Sequence, residues 1–116
     1  MSTSSMNITP LDDTTLAVAL EGRLDVLGVD GVETRFTAAL VPSGKNAIVD
    51  MSGVEFVASL GIRMFVSVAR ALARDGRKIA LYGCNAQVAE IMEMAALDKL
   101  MSVTADADAA RAALPA

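Results

Sequence analysis

The sequence predicts an α/β fold, a mostly parallel β-sheet with an N-terminal antiparallel hairpin and about four α-helices packed against the sheet. Three observations carry this. Apolar residues along the 116-residue chain switch repeatedly between a two-residue period and a period near 3.6. Two short runs, NAIVDM (46–51) and KIALYG (78–83), are too brief for helices, and the first is apolar on both alternations, as in a strand covered on both faces. Each is followed by a segment of helical period, and strands joined through helices run parallel by right-handed crossovers.

The elements follow in chain order. MNIT (6–9), a DDTT turn (12–15) and LAVALEG (16–22) make the hairpin, with Leu16, Val18 and Leu20 on one face of its second strand. GVDGVETRFTAAL (28–40) places Val29, Val32, Phe36 and Leu40 at helical spacing, and Pro42 and Gly44 stop the helix beyond them. After NAIVDM, the segment SLGIRMFVSVARALARDG (59–76) sets Ile62, Phe65, Val66, Ala69 and Leu72 on an apolar stripe. Arg63, Ser67, Arg70 and Arg74 recur opposite, and Gly76 ends the helix. KIALYG is the next strand. NAQVAEIMEMAAL (85–97) is a helix with Asn85 in the N-cap position, Val88, Ile91, Met92 and Ala95 inward and Met94 outward. LMSV (100–103) is a last short strand, and DADAARAAL (106–114) closes the chain as a helix.

Composition narrows the function. At 53% hydrophobic and 21% charged residues, the chain has enough apolar surface for one domain across residues 1–116, with the small polar residues 1–5 expected to be flexible. A net charge of −4 with scattered basic residues, 3% aromatics and no tryptophan offers neither a phosphate-binding patch nor a base-stacking platform, so nucleic acid is not an expected partner. Histidine is absent and Cys84 is the lone cysteine, which removes a serine–histidine triad, an intrachain disulfide and a histidine or multi-thiolate zinc site. With no phosphate-cradling glycine loop and its lysine either, no enzyme activity, cofactor or metal is expected. No apolar run approaches the roughly 20 residues of a membrane span, and the opening MSTSSMNI lacks the charged and apolar regions of a leader. The expectation is a cytoplasmic protein, with the lone thiol suited to a reducing setting, that exists as a monomer or weak homodimer.

Partners of such sheets are met beyond the carboxyl ends of the strands. Two loops there carry unusual residues. EGRLDVLGVDG (21–31) presents Asp25, either as a partner-contact acid or as a turn residue bonding its own backbone. DMSGVEFVASLGIRMF (50–65) sets Asp50 to close its strand, Ser52 and Gly53 to form a turn whose amides the Asp50 carboxylate satisfies, and Ser59 at the start of the next helix. A serine there can cap the helix, a contribution of about 1 kcal/mol, and the positive helix end would equally tolerate an added phosphate of about −1.5 to −2 charges. Arg63, Arg70 and Arg74 are either a solvated face or part of a partner footprint.

GRLD (22–25), VDMSGVEFVASLGIRMF (49–65) and GRKIALYGCNAQVAEIMEMAALDKLM (76–101) together resemble the STAS domain, and within it the small bacterial anti-sigma factor antagonists, in order and spacing over nearly the whole chain. The resemblance implies a STAS fold. It implies that Ser59 is phosphorylated by a serine-protein kinase that is also the anti-sigma factor, that only the unmodified form binds this partner and frees the sigma factor, and that a serine phosphatase resets the switch. It also places Asp25, Ser59, Gly61, Ile62 and Arg63 on the partner-binding face. This chain departs from the family at Ala58, where an aspartate is usual, and at Arg63, where a small residue is usual; Arg63 would favour an acidic partner or pair with a phosphate on Ser59. The alternative implied by the same family is a STAS scaffold subunit of a stress-signalling or lipid-transport complex, with no phosphorylation switch.

Overall fold

The computed structural model describes residues 4–115. Strands β1 (Ser4–Asp12) and β2 (Thr15–Leu24) pair as an antiparallel hairpin. Their turn is set by Asp12, whose Oδ1 accepts from the backbone amide of Thr14 at 2.8 Å and from its hydroxyl at 2.9 Å. Strands β3 (Asn46–Val57), β4 (Ile79–Tyr82) and β5 (Ser102–Thr104) then add in parallel, giving the spatial order β1-β2-β3-β4-β5. The crossovers carry α1 (Val26–Leu40), α2 (Ser59–Ala73) and α3 (Ala86–Met94), and α4 (Ala107–Ala112) follows the last strand. Short 3-10 turns at Val41–Ser43 and Leu97–Lys99 end the first and third crossover helices.

Alternation along the strands divides the sheet into unequal faces. Val18, Leu20, Val49, Met51, Ile79 and Leu81 point into a core shared with α1, α2 and α3, where Phe36 and Phe65 meet edge to face at 5.6 Å. On the opposite face Ile48 and Ala80 pack against Ala110 of α4, with Ala17, Tyr82 and Leu114 at the margin. The contact between Arg111 and Asp12 ties α4 to the hairpin turn.

The amino ends of β3 and β4 are held by a buried arginine. Arg77 donates to the carbonyls of Leu40 at 3.1 Å, Val41 at 2.8 Å and Lys45 at 3.2 Å, and pairs with Asp75 at 2.6 Å. A charge this buried is tolerable because its donors are met by acceptors.

The predicted class, hairpin, parallel strands and four helices are all present, and Val29, Val32, Phe36 and Leu40 are buried as expected. Other expectations are corrected. Of the residues expected to be flexible, Met1–Thr3 lie outside the described residues, whereas Ser4 and Ser5 pair with Gly22 and Glu21. Asp50 does not close its strand, and Ser52 and Gly53 do not form a turn: β3 runs on to Val57 beside β2. The register passes from Ala19↔Asp50 to Glu21↔Gly53 and from Gly22↔Val54 to Arg23↔Phe56, so β3 carries one extra residue at each of two bulges. In α2 the apolar stripe is Gly61, Met64, Phe65, Val68, Ala69 and Leu72. Ile62 and Val66 fall at its edge and are only half-buried, because these six positions keep the 3-4 spacing of a single face. In α3 Val88 and Met92 are buried, Ile91 is half-buried and Ala95, which ends the helix, is exposed.

Candidate functional site: the rim at the ends of β2 and β3

Parallel pairing continues to the tips of β2 and β3, where Leu24 lies opposite Val57 and the amide of Ala58 donates to the carbonyl of Leu24 at 2.9 Å. Asp25 and Ser59 are the next residues on either side of this bond, so two positions 34 apart in sequence sit on one rim. Both helices that start here approach closely through glycine. A Cβ on Gly28 would lie 1.7 Å from the carbonyl oxygen of Arg23. One on Gly61 would lie 2.9 Å from a methyl of Val57 and 3.1 Å from the carbonyl oxygen of Leu24. Gly61, expected to touch a partner, is buried, and its contribution is this close approach of α2 to β2.

Asp25 is the N-cap of α1: its Oδ1 accepts from the amide of Gly28 at 3.0 Å. Its Oδ2 lies 3.6 Å from Arg23 Nε, and both side chains remain partly open to solvent. The Arg23 guanidinium sits 4.9 Å from the centre of the Phe56 ring, which fixes its direction. Asp25 therefore bonds its own backbone through one oxygen while the other, facing Arg23, is still reached by solvent.

Ser59 does not cap α2, contrary to the sequence reading. The N-cap is Ala58, extended at φ −91° and ψ 177°, and it has no side-chain acceptor; Ser59 is the first helical residue. The other three helices are capped by Asp25, Asn85 and Asp106. Among the described residues the first amides of α2 thus have no side-chain acceptor, at the positive end of a 15-residue helix. Ser59 is exposed there, and Arg63, four residues on and on the same side of the helix, is also exposed, with Ile62 half-buried between.

The first bulge supports the rim from below. Asp50 Oδ1 accepts from the amide of Ser52 at 2.9 Å and its hydroxyl at 2.6 Å, holding the extra residue in place beside Gly53. Asn85 caps α3 through its Oδ1 and donates from Nδ2 to the carbonyl of Val54 at 3.3 Å, joining the loop after β4 to the extension of β3. Tyr82 lies beside Asp50 in the β3–β4 register. Partial burial, then the neighbouring Asp50 charge, push its phenol above the usual 10.0. Burial likewise raises the half-buried Cys84 thiol. Among the described residues no group of histidine, cysteine, aspartate and glutamate could hold a metal ion, and no helix is long and apolar enough to cross a membrane.

Sequence reasoning missed part of the rim. Val26 and Leu27, directly after Asp25, are 64% and 66% exposed, and Leu60 is also exposed. With Val29, Asp30 and Glu33 they line a groove of about 220 Å³ between the first turns of α1 and α2. The signal was available for Leu27, which lies about half a turn from the Val32 and Phe36 stripe and so cannot face the core with them.

Residues 9–103 match the family model described as "Mlab, STAS domain". Among curated proteins, the anti-sigma-B factor antagonist of Staphylococcus aureus is 26% identical over 100 residues, covering 85% of this chain and 93% of the relative. Two solved structures share the fold. An anti-sigma factor antagonist from Mycobacterium paratuberculosis superposes with a TM-score of 0.84 at 19% identity, covering 96% of this chain and 93% of the other. The anti-sigma factor antagonist SpoIIAA in its unphosphorylated form gives 0.75 at 17% identity, covering 90% and 92%. The family match spans most of the chain, which therefore belongs to the STAS-domain family.

Proposed function

We propose that this STAS domain is a cytoplasmic anti-sigma factor antagonist that captures an anti-sigma factor with serine-kinase activity through the β2–β3 rim and releases it when Ser59 is phosphorylated. The observation that carries the reading is the exposed Ser59 hydroxyl on the uncapped first turn of α2, on the same rim as Asp25. An acceptor-rich phosphate there meets open amides and the positive helix end, with Arg63 one turn away, so the modified state would be accommodated without refolding. The name of the staphylococcal relative supports the same reading. The domain has no catalytic role in this cycle; the partner supplies the phosphoryl transfer, and a serine phosphatase restores the hydroxyl. Asp25, Ser59, Ile62 and Arg63 form the docking face, and Asp50, Ser52 and Gly53 shape the strand beneath it.

The test is to incubate the chain with ATP and a candidate kinase-type anti-sigma factor and to locate phosphate by mass spectrometry. Modification should occur on Ser59 and vanish in Ser59→Ala. Ser59→Asp should weaken capture of the partner at least roughly tenfold, about 1.4 kcal/mol, while leaving the melting temperature within a degree or two. Equal affinity of wild type and Ser59→Asp refutes the switch.

Ala58 favours a second reading, a STAS scaffold subunit without the switch, because a methyl stands next to Ser59 where the resemblance leads one to expect an acid. Stable assembly into a complex that contains no kinase, with Ser59 unmodified, is the outcome that selects it.

A further inference from the structure

We infer that the groove between the first turns of α1 and α2 receives a basic amphipathic helix of the docking partner. This deepens the reading of the rim as a docking face and rests on it. The floor of the groove is apolar and built by Val26, Leu27 and Leu60, large side chains left in solvent beside the rim although the core could not use them. One wall carries Asp30 and Glu33, three residues apart on the same face of α1 and both exposed. Neither forms an ion pair with another described residue, whereas Asp12, Asp25 and Asp75 each have an arginine partner. An apolar floor flanked by two uncompensated carboxylates is complementary to a helix that presents aliphatic side chains with lysine or arginine beside them. A strand is the poorer fit, since the residues lining the groove belong to the helices α1 and α2 and not to a strand edge on which it could pair.

The position gives the groove a regulatory meaning. Leu60 follows Ser59 directly, so a helix seated on Leu60 passes within one residue of the hydroxyl. A hydrated phosphate there would obstruct the entrance to an apolar site.

The experiment titrates the full ¹⁵N-labelled, unphosphorylated chain with a helix-forming leucine/lysine peptide of about 18 residues, long enough for five turns. A leucine/glutamate peptide of the same pattern is the control. The leucine/lysine peptide should shift the amides of residues 26–33 and 60, and the control should not. Leu27→Ser should weaken binding roughly tenfold by removing exposed apolar contact. The double charge reversal Asp30→Lys with Glu33→Lys, on exposed positions that leave folding intact, should exchange the preference between the two peptides.

Equal responses to both peptides, or shifts centred on Met94 and Leu100 instead, overturn the inference. Shifts of the groove amides with protein concentration alone do so too, because a second copy is then the occupant. The titration uses no kinase and no phosphate. A chain that binds the peptide but is never modified on Ser59 overturns the switch and leaves the groove standing, and a modified chain with an unresponsive groove does the reverse.

Discussion

Replacing Gly28 by alanine sets two effects of opposite sign against each other. In an exposed helix the change would stabilise by about 1 kcal/mol through helix propensity. At this position the new Cβ lies 1.7 Å from the Arg23 carbonyl oxygen, against the 3.0 Å below which Cβ contacts are essentially never seen. The first turn of α1 must therefore move away from the end of β2 by about 1.3 Å. Backbone is on one side and the close-packed Val29–Val32 face on the other, so a cost of about 1–3 kcal/mol is expected for forced displacement of this kind. The same movement lengthens the 3.0 Å bond from Gly28 to Asp25, adding about 1 kcal/mol for a damaged cap. The net expectation is a loss of about 1–3 kcal/mol, or roughly 4–12 °C in melting temperature for a domain of this size. Urea unfolding followed by circular dichroism measures it. Gly44→Ala is the comparison: φ there is +73° with open space around it, so it should lose only about 1 kcal/mol from backbone strain. A Gly28→Ala protein as stable as wild type, or more stable than Gly44→Ala, refutes the argument that close approach positions the rim.

Three further outcomes are expected. Arg77→Ala should cost about 2–4 kcal/mol in urea unfolding, because it leaves the carbonyls of Leu40, Val41 and Lys45 without their donor in a buried site. Met92→Ala should cost about 2–5 kcal/mol from a fully buried position, whereas Met94→Ala, 80% exposed, should stay within about 0.5 kcal/mol, and a pair of thermal melts separates them. Cys84 should react slowly with iodoacetamide, with a rate midpoint above pH 9.0; its thiol is raised in the folded state, so the associated stability is present below 9.0 and lost as pH climbs through the folded value.

The alternation of periods in the sequence was enough to read the hairpin, the parallel strands and all four helices, because each is long or bounded by clear stop signals such as Pro42 and Gly44. The extension of β3 was not legible. A bulge inserts a residue and breaks the two-residue period, and Ser52 and Gly53 look like a turn unless the pairing partner on β2 is known. The placement of Ser59 erred by one position, since Ala58 takes the extended N-cap conformation although it cannot cap, and neighbouring positions at a helix start are distinguished only by backbone angles. Arg77 gave no sign of burial, because what buries it are carbonyls from a turn more than thirty residues earlier. Asp25 and Ser59 were expected on one rim because each follows a strand end, while Val26 and Leu60 were passed over because single apolar residues in a helical stretch are read as core.

The strand order β1-β2-β3-β4-β5 follows the order of synthesis. Each strand docks on the edge left by its predecessor, so the sheet can be laid down from one side as the chain leaves the ribosome, with no strand waiting for a later one to slip between. The β2–β3 pair and the close approach of Gly28 are complete once Val57 has emerged, and the rest of the chain adds α2, the bond from Asn85 to the β3 extension and the remaining strands. A ribosome stalled with α2 fully exposed would thus carry a nascent domain whose rim is assembled before its last two strands are made.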